Sequence, residues 1–132
     1  MDHSKYFQPT GSMPNEMLEI CSSYLKSNNW YIIVTSNDVL TELQVYVREN
    51  IPNLDLKNDI KSWEEPYMYG QRNPFGYLII ALKKEKVTKD QFESVIGDSV
   101  EEGKDSVCLC SPYRRDSEEK LLEFMQKLSV LT

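Results

Sequence analysis

A set of polar and charged side chains lies at the carboxyl ends of three predicted strands of this chain. They are two serines, an aspartate and three cationic residues, namely Ser36, Asp38, Lys83, Ser111, Arg114 and Arg115. In open parallel sheets, ligands bind beyond the carboxyl ends of the strands, so we expect these side chains to meet at one edge. Two arginines and a helix N-terminus can hold a phosphate group, with Asp38 as a base. The set predicts a site for a nucleotide or another phosphate-containing ligand in a small enzyme or sensor.

The same arginines also fit a purely structural role. Arg114 and Arg115 stand four positions before Glu118 and Glu119, which is the spacing of ion pairs along a helix. The three loops contain no glycine, whereas ligand-binding rims commonly use glycine to let the backbone approach the ligand closely. The structural role is therefore favoured, and the phosphate site is kept as the alternative.

Residues for nucleophilic or metal chemistry are few. The single histidine, His3, is near the N-terminus, so neither a catalytic triad nor a histidine-based metal site is expected. Cys108 and Cys110 would share one face of a strand and could bind a soft metal with Cys21, but strand cysteines without further ligands favour core packing. No glycine-rich phosphate loop occurs in the sequence. We therefore predict no catalytic residue, no metal and no cofactor.

An aromatic segment supplies side chains of the types that dominate protein interfaces. Trp63, Tyr67, Tyr69 and Arg72 follow one another closely, and the last two stand beside a glycine. Tryptophan, tyrosine and arginine are the residue types most enriched in binding hot spots. Phe75 is explained as well by the packing of a hairpin against the core. The segment therefore predicts an exposed aromatic loop that contacts a partner.

Acidic residues form the second part of the predicted interface. A helix predicted over residues 88–103 has an outward face with Asp98 and Glu101, and Glu102 extends the same charge. The chain has 21 acidic residues against 15 lysines and arginines, which gives a net charge of −6. This charge attracts a basic protein and disfavours nucleic acid, although solubility alone also explains it. We expect a partner protein with a basic surface.

Strands alternate with amphipathic helices along the chain. Buried strands are predicted at residues 30–36, 75–84 and 106–110. Helices are predicted to begin at Pro14, at Asn37 or Asp38, at Thr88 and at Asp116, with a weaker helix over residues 56–63. Such alternation implies crossover connections. The predicted fold class is α/β, a small two-layer or three-layer domain with a mainly parallel three-stranded sheet, an optional fourth antiparallel strand at residues 67–69, and four to five helices.

The spacing of apolar residues predicts which helix faces are buried. In the second helix the predicted stripe consists of Val39, Leu43, Tyr46 and Val47. In the last helix it consists of Leu121, Leu122, Met125 and Leu128. These side chains are expected to face the sheet.

The chain has the length and composition of one globular domain. With 132 residues, 40% of them hydrophobic, it can bury a core without disulfides. Residues 1–12 are polar and are predicted to form a flexible tail, which leaves residues 13–132 as a single α/β domain. The longest apolar run, residues 77–82, is far shorter than the roughly 20 residues that cross a bilayer. Three cysteines and a first segment without signal-peptide character predict a cytoplasmic protein without a membrane partner.

The layout of strands and crossover helices resembles that of barstar-type inhibitors, particularly from Phe92 through Gly103 to the strand at Val107. This resemblance is one of architecture, without a shared motif. The acidity, the aromatic segment and the missing catalytic residues predict a protein-binding module, most simply an inhibitor or a toxin-neutralising immunity-type protein. The alternative prediction is the small enzyme or sensor with a phosphate-containing ligand.

Overall fold

Four helices and a five-stranded sheet make up the part of the chain that the computed structural model describes. The described residues are 9–11, 14–36, 40–55, 57–64, 77–97, 99–100, 104–109 and 115–131. The strands are β1 (Pro9–Gly11), β2 (Trp30–Ser36), β3 (Ile60–Glu64), β4 (Tyr77–Lys83) and β5 (Ser106–Leu109). The helices are α1 (Pro14–Ser27), α2 (Leu40–Asn50), α3 (Lys89–Ile96) and α4 (Arg115–Leu131).

The sheet is mixed, with its strands in the order β1-β3-β4-β2-β5. β4 runs antiparallel to both of its neighbours, whereas β1 pairs with β3 and β5 pairs with β2 in parallel. The predicted α/β class is confirmed, but the predicted mainly parallel three-stranded sheet is wrong. The cause is physical: a central strand is buried on both faces whichever way it runs, so its apolar residues do not encode its direction.

β3 forms where the sequence predicts a weak helix. Ile60 packs in the core on one face of the sheet, and Trp63 packs against the core on the other face. Residues three apart point to opposite faces in a strand. The predicted helix over residues 56–63 is therefore wrong, because pairing with β4 outweighs a weak local pattern. The optional strand at residues 67–69 lies outside the described residues.

Two apolar cores lie on opposite faces of the sheet, so the domain has three layers. On one face, Leu43 of α2 and Phe92 of α3 pack in a cluster with Ile80. On the other face, Met17 of α1 and Leu121 of α4 belong to the second cluster. Full burial of such a side chain contributes about 1.5–3 kcal/mol to the free energy of unfolding. The helices therefore hold both faces of the central strands away from water.

Two predicted helix faces are partly wrong. In α2, Leu43 and Val47 are buried as predicted, but Tyr46 is 50% exposed. In α4, Leu122 is 49% exposed, and Phe124 is buried in the core. In a helix of 3.6 residues per turn, residues on both borders of the apolar stripe fit the pattern equally well. Which border faces the sheet is decided by how the helix docks. Val39 lies outside the described residues.

α3 begins and ends at well-defined caps. The Thr88 hydroxyl accepts from the Gln91 N–H at 3.1 Å, and the Gln91 side chain accepts from the Thr88 N–H at 2.9 Å. This reciprocal pair is the predicted capping box. The helix ends before Gly97, whose φ of 77° is a conformation that glycine adopts with little strain. The predicted helix over residues 88–103 is therefore too long.

β1 lies within the segment that the sequence predicts to be a tail. Its three residues pair in parallel with β3 and form one edge of the sheet. Residues 1–8 lie outside the described residues. Among the helices that the structure describes, none combines the length and the apolar character that crossing a membrane requires.

Candidate functional site

β5 is the edge strand on the side of the sheet opposite to β1. All four of its residues are partly exposed, whereas residues 78–82 of β4 are buried. β5 pairs with β2 on its inner side, and no strand of the described residues pairs with its outer side. Such an edge presents backbone N–H and C=O groups to whatever lies beyond it.

Polar contacts fix both ends of β5. At its start, the Ile32 N–H donates to the carbonyl of Asp105 at 2.7 Å. The Asp105 carboxylate lies 2.6 Å from Nζ of Lys84, which belongs to the turn after β4. At its end, the Thr35 hydroxyl donates to the carbonyl of Leu109 at 2.7 Å. The edge strand is therefore held in register with the centre of the sheet.

A groove of about 560 Å³ runs beside β5, and we call it the edge groove. The end of α3 and the residues after it form one wall, and α4 forms the other. Its apolar lining consists of Ile96, Val100, Val107, Leu109, Leu122 and Met125. Ser99, Lys104 and Ser106 add polar groups to this lining, so the groove offers both apolar and polar contacts to another molecule.

The edge groove is lined from both faces of the sheet. Val107 and Leu109 pack against the core that α2 and α3 cover. Cys108 and Met125 pack against the core that α1 and α4 cover. A groove with walls on both faces follows the edge of the strand rather than crossing one face of the sheet. An extended segment placed there meets apolar side chains on both of its sides.

The α4 wall exposes apolar surface beyond the groove itself. Leu122 is half exposed, and Met125 lies beside it in the lining. A second depression of about 400 Å³ shares Lys104, Ser106, Leu122 and Met125 with the edge groove and continues along α4 to Ser129. Contiguous apolar surface of this kind marks interaction sites on soluble domains.

The opposite wall is held by α3. The Glu93 carboxylate accepts from the Val100 N–H at 3.2 Å, across the turn that Gly97 makes. Val100 packs against the core of this face together with Ile96. This hydrogen bond holds Val100 close to α3, so that Val100 contributes to the wall on the α3 side of the groove.

Acidic residues follow the groove wall along the sequence. Segment 98–105 contains Asp98, Glu101, Glu102 and Asp105 against the single cation Lys104. Asp105 forms the ion pair with Lys84, and both side chains are about one quarter exposed. Asp98, Glu101 and Glu102, the acidic part of the predicted interface, lie outside the described residues. In the sequence, Asp98 stands between Gly97 and Ser99, and Glu101 follows Val100; these three neighbours line the groove.

The structure describes one residue of the predicted aromatic interface. Trp63 is half-buried, and its ring meets that of Tyr24 edge to face at 4.9 Å between centroids. It also packs against the core that α1 and α4 cover. The other three residues of the prediction, Tyr67, Tyr69 and Arg72, lie outside the described residues.

The predicted anion site is not assembled as expected. Ser36 is buried and stands opposite Tyr77, whereas Lys83 stands opposite Trp30 at the other end of the same ladder. Six residues of strand separate the two ends, a distance of about 20 Å. Lys83 is therefore not available to a ligand at Ser36, because β4 is antiparallel to β2. Asp38, Ser111 and Arg114 lie outside the described residues, and Arg115 is described only as the first residue of α4.

The two described thiols have different surroundings. Cys21 is buried in α1, and burial raises the pKa of its thiol to about 12, so it stays protonated near neutral pH. Cys108 is half-buried and lines the edge groove. Cys110 lies outside the described residues. Within the part of the chain that the structure describes, no group of three or more His, Cys, Asp or Glu side chains could hold a metal ion.

The edge groove is not evident from the sequence, because the apolar periodicity of the last helix assigns Leu122 to the core. The length of the strand carries a usable signal, since residues 106–110 are the shortest of the three main predicted strands and follow a strongly charged segment. Short strands beside charges are typical of sheet edges. A leucine predicted to be buried next to such an edge is a candidate for a docking surface.

Neither a scan against protein-family models nor searches of curated proteins and of solved structures finds a match to this chain. What the protein does is therefore inferred from its own residues.

Proposed function

We propose that this chain is a protein-binding module of the inhibitor or immunity-protein type, and that it holds its partner at the edge groove. The observation that carries the proposal is the half-exposed Leu122 on α4, which continues the apolar lining of a groove beside an edge strand. Burying a leucine of this kind against a partner releases water from apolar surface on both molecules.

The charge of the chain supports a basic partner. Segment 98–105 and α4 contain eight acidic residues, namely Asp98, Glu101, Glu102, Asp105, Asp116, Glu118, Glu119 and Glu123. The same two segments contain four cationic residues, Lys104, Arg115, Lys120 and Lys127, so they account for −4 of the net charge of −6. A basic partner is attracted to such a surface, and salt slows the encounter.

The aromatic segment is a second candidate surface for binding a partner, separate from the edge groove. β3, which carries Trp63, lies three strand positions away from β5, or about 14 Å at ordinary strand spacing. Trp63 therefore does not belong to the edge groove. Tyr69→Ala is expected to weaken a partner that uses this segment by about 2 kcal/mol, roughly thirtyfold, without a change in the thermal midpoint.

A matched pair of variants on one helix tests the edge groove. Leu122→Ser removes a half-exposed leucine of the lining, whereas Val130→Ser removes a more exposed apolar residue, 84% exposed, from the end of the same helix. Each tagged variant is used to retain partners from an extract of cells that express the chain, and bound proteins are quantified by mass spectrometry. We expect Leu122→Ser to lose a partner that wild type and Val130→Ser both retain. Equal retention by all three proteins would contradict the edge groove as the binding surface.

A further inference from the structure

We propose that the partner contributes an extended, basic segment that pairs with the outer side of β5 as a sixth strand. This inference rests on the proposed function and specifies how the edge groove is used. An added strand gains backbone hydrogen bonds from the edge and side-chain contacts from the groove walls.

The backbone of β5 is oriented for this pairing. The Ile32 N–H donates to the carbonyl of Asp105, so Asp105, Val107 and Leu109 direct their backbone groups toward β2. Alternate residues of a strand direct these groups to opposite sides. The N–H and C=O of Ser106 therefore point away from β2, into the edge groove that Ser106 also lines.

The groove walls fit the side chains of an added strand. Successive side chains of a strand point to opposite faces of its sheet. On one face an added strand would meet Ile96 and Val100, and on the other face it would meet Leu122 and Met125. A groove that crossed only one face would favour a helix instead, so the two-sided lining distinguishes strand addition from helix docking.

β5 is short, but its own residues carry neither of two other common protections of a sheet edge. Natural sheets commonly block their edges with proline or with charged side chains. The strand Ser106–Leu109 contains neither, whereas β1 at the opposite edge begins with Pro9. Among the two described edges, β5 is therefore the one suited to pairing with another chain.

The net charge of the chain indicates which kind of molecule pairs with the outer side of β5. A second copy of this chain would bring another net charge of −6 to an edge whose flanking segments are already acidic. In a segment with basic residues between apolar ones, the apolar side chains can pack against the groove walls and the basic side chains are attracted to the acidic segments beside β5. We therefore assign the edge to a basic partner segment rather than to self-association.

A library of random displayed peptides tests the inference with defined probes. Peptides selected on the full chain are expected to alternate basic and apolar residues. Ser106→Pro removes the outward N–H and leaves the ladder to β2 intact, whereas Ser106→Ala keeps that N–H. We expect the best peptide to bind Ser106→Pro at least about tenfold more weakly than wild type, and to bind Ser106→Ala within about twofold.

Methylation of the peptide backbone provides a second readout if Ser106→Pro lowers the thermal midpoint. N-methylation of alternate amides blocks either the set that faces β5 or the set that faces solvent. Strand addition predicts that one set abolishes binding and that the other set leaves it unchanged. Equal effects of both sets would overturn strand addition.

The outcomes separate this inference from the proposed function. Peptides that need Leu122 but bind Ser106→Pro as tightly as wild type would overturn strand addition and leave the edge groove as the binding surface. Peptides indifferent to both positions, or no selected peptide at all, would overturn both proposals. A dimer of the chain that dissociates in Ser106→Pro would show that the edge belongs to a second copy, which also overturns the basic segment.

Discussion

The centre and the outer edge of one sheet differ in how completely the protein covers them. β4 is buried from Leu78 to Leu82 because helices pack on both of its faces and strands pair on both of its sides. β5 has the same apolar character in Val107 and Leu109, yet it is half-buried along its whole length. The difference lies in the missing neighbour on one side of β5 within the described residues, not in the residue types.

This difference indicates where stability and binding reside. Side chains at the centre make contacts in every direction, so their loss leaves a cavity. An exposed side chain of the edge groove such as Leu122 contacts the domain on one side only, so its removal costs little stability and affects whatever binds there. The comparison can be tested by substitutions in both regions.

The largest expected effect is the loss of a central core side chain. Ile80→Ala, in β4, is expected to lower the free energy of unfolding by about 2–5 kcal/mol, because Ile80 is buried between β2, β3 and α2. Leu122→Ala, at the edge groove, is expected to change it by no more than about 0.5 kcal/mol. Urea unfolding followed by tryptophan fluorescence measures both. Similar losses for the two variants would remove the distinction between centre and edge.

Alkaline pH is expected to weaken the core through Cys21. The ordinary pKa of its thiol is 9.0, and burial raises that pKa to about 12 in the folded state. Above pH 9 the unfolded chain therefore loses a proton that the folded chain keeps, so stability is complete below pH 9 and is lost as pH rises toward 12. The slope approaches about 1.4 kcal/mol per pH unit. Unfolding between pH 8 and about 10 measures it, and Cys21→Ala, although less stable, should reduce the slope.

A substitution at the groove wall should have an intermediate effect. Gly97→Ala places a side chain at a residue with φ of 77°, although no atom lies within 4 Å of the added carbon. The cost is therefore conformational and is expected to be about 1 kcal/mol. Thermal unfolding measures this cost. An unchanged thermal midpoint in Gly97→Ala would show that the turn adapts without strain. Because the turn shapes the α3 wall, the affinity for selected peptides should change as well.

The ion pair of Lys84 with Asp105, which joins the turn after β4 to the start of β5, should contribute a similar or smaller free energy of unfolding. Nζ of Lys84 pairs with the Asp105 carboxylate, donates to the side-chain oxygen of Asn28 at 2.9 Å, and lies 5.4 Å from the centre of the Tyr31 ring. Lys84→Met is expected to lower the free energy of unfolding by about 1 kcal/mol, since these side chains are partly exposed. High salt should reduce the difference between wild type and variant. A salt-independent loss would assign the effect to packing of the alkyl chain instead.

The smallest expected effect concerns the alternative function. If a phosphate-containing ligand binds near Ser36, Lys83→Ala should leave the ligand-induced rise in melting temperature unchanged, because Lys83 lies at the other end of the ladder. A panel of nucleotides and inorganic phosphate, with melting followed by circular dichroism, measures this. Loss of the rise in Lys83→Ala would place the ligand at the opposite end of the sheet.

Local patterns predicted the elements that depend on local contacts. The capping box of Thr88 and Gln91 and the apolar runs of β2 and β4 were found because neighbouring residues carry the signal. The weak local pattern of β3 predicts a helix, whereas Ile60 and Trp63 find their packing partners in distant elements and form a strand. The exposure of Leu122 also depends on distant contacts, because the way α4 docks on the sheet determines which border of its apolar stripe is buried.

The sequence is sufficient to show an acidic α/β domain with amphipathic helices, because the charge is a sum over all residues and periodicity is carried by residues close together in the chain. Three further features depend on the assembled sheet: β4 is antiparallel, Ser36 and Lys83 lie at opposite ends of one ladder, and a groove borders β5. Those features depend on which strands become neighbours. Strand pairing is chosen by the free energy of the whole fold, and no single segment encodes it.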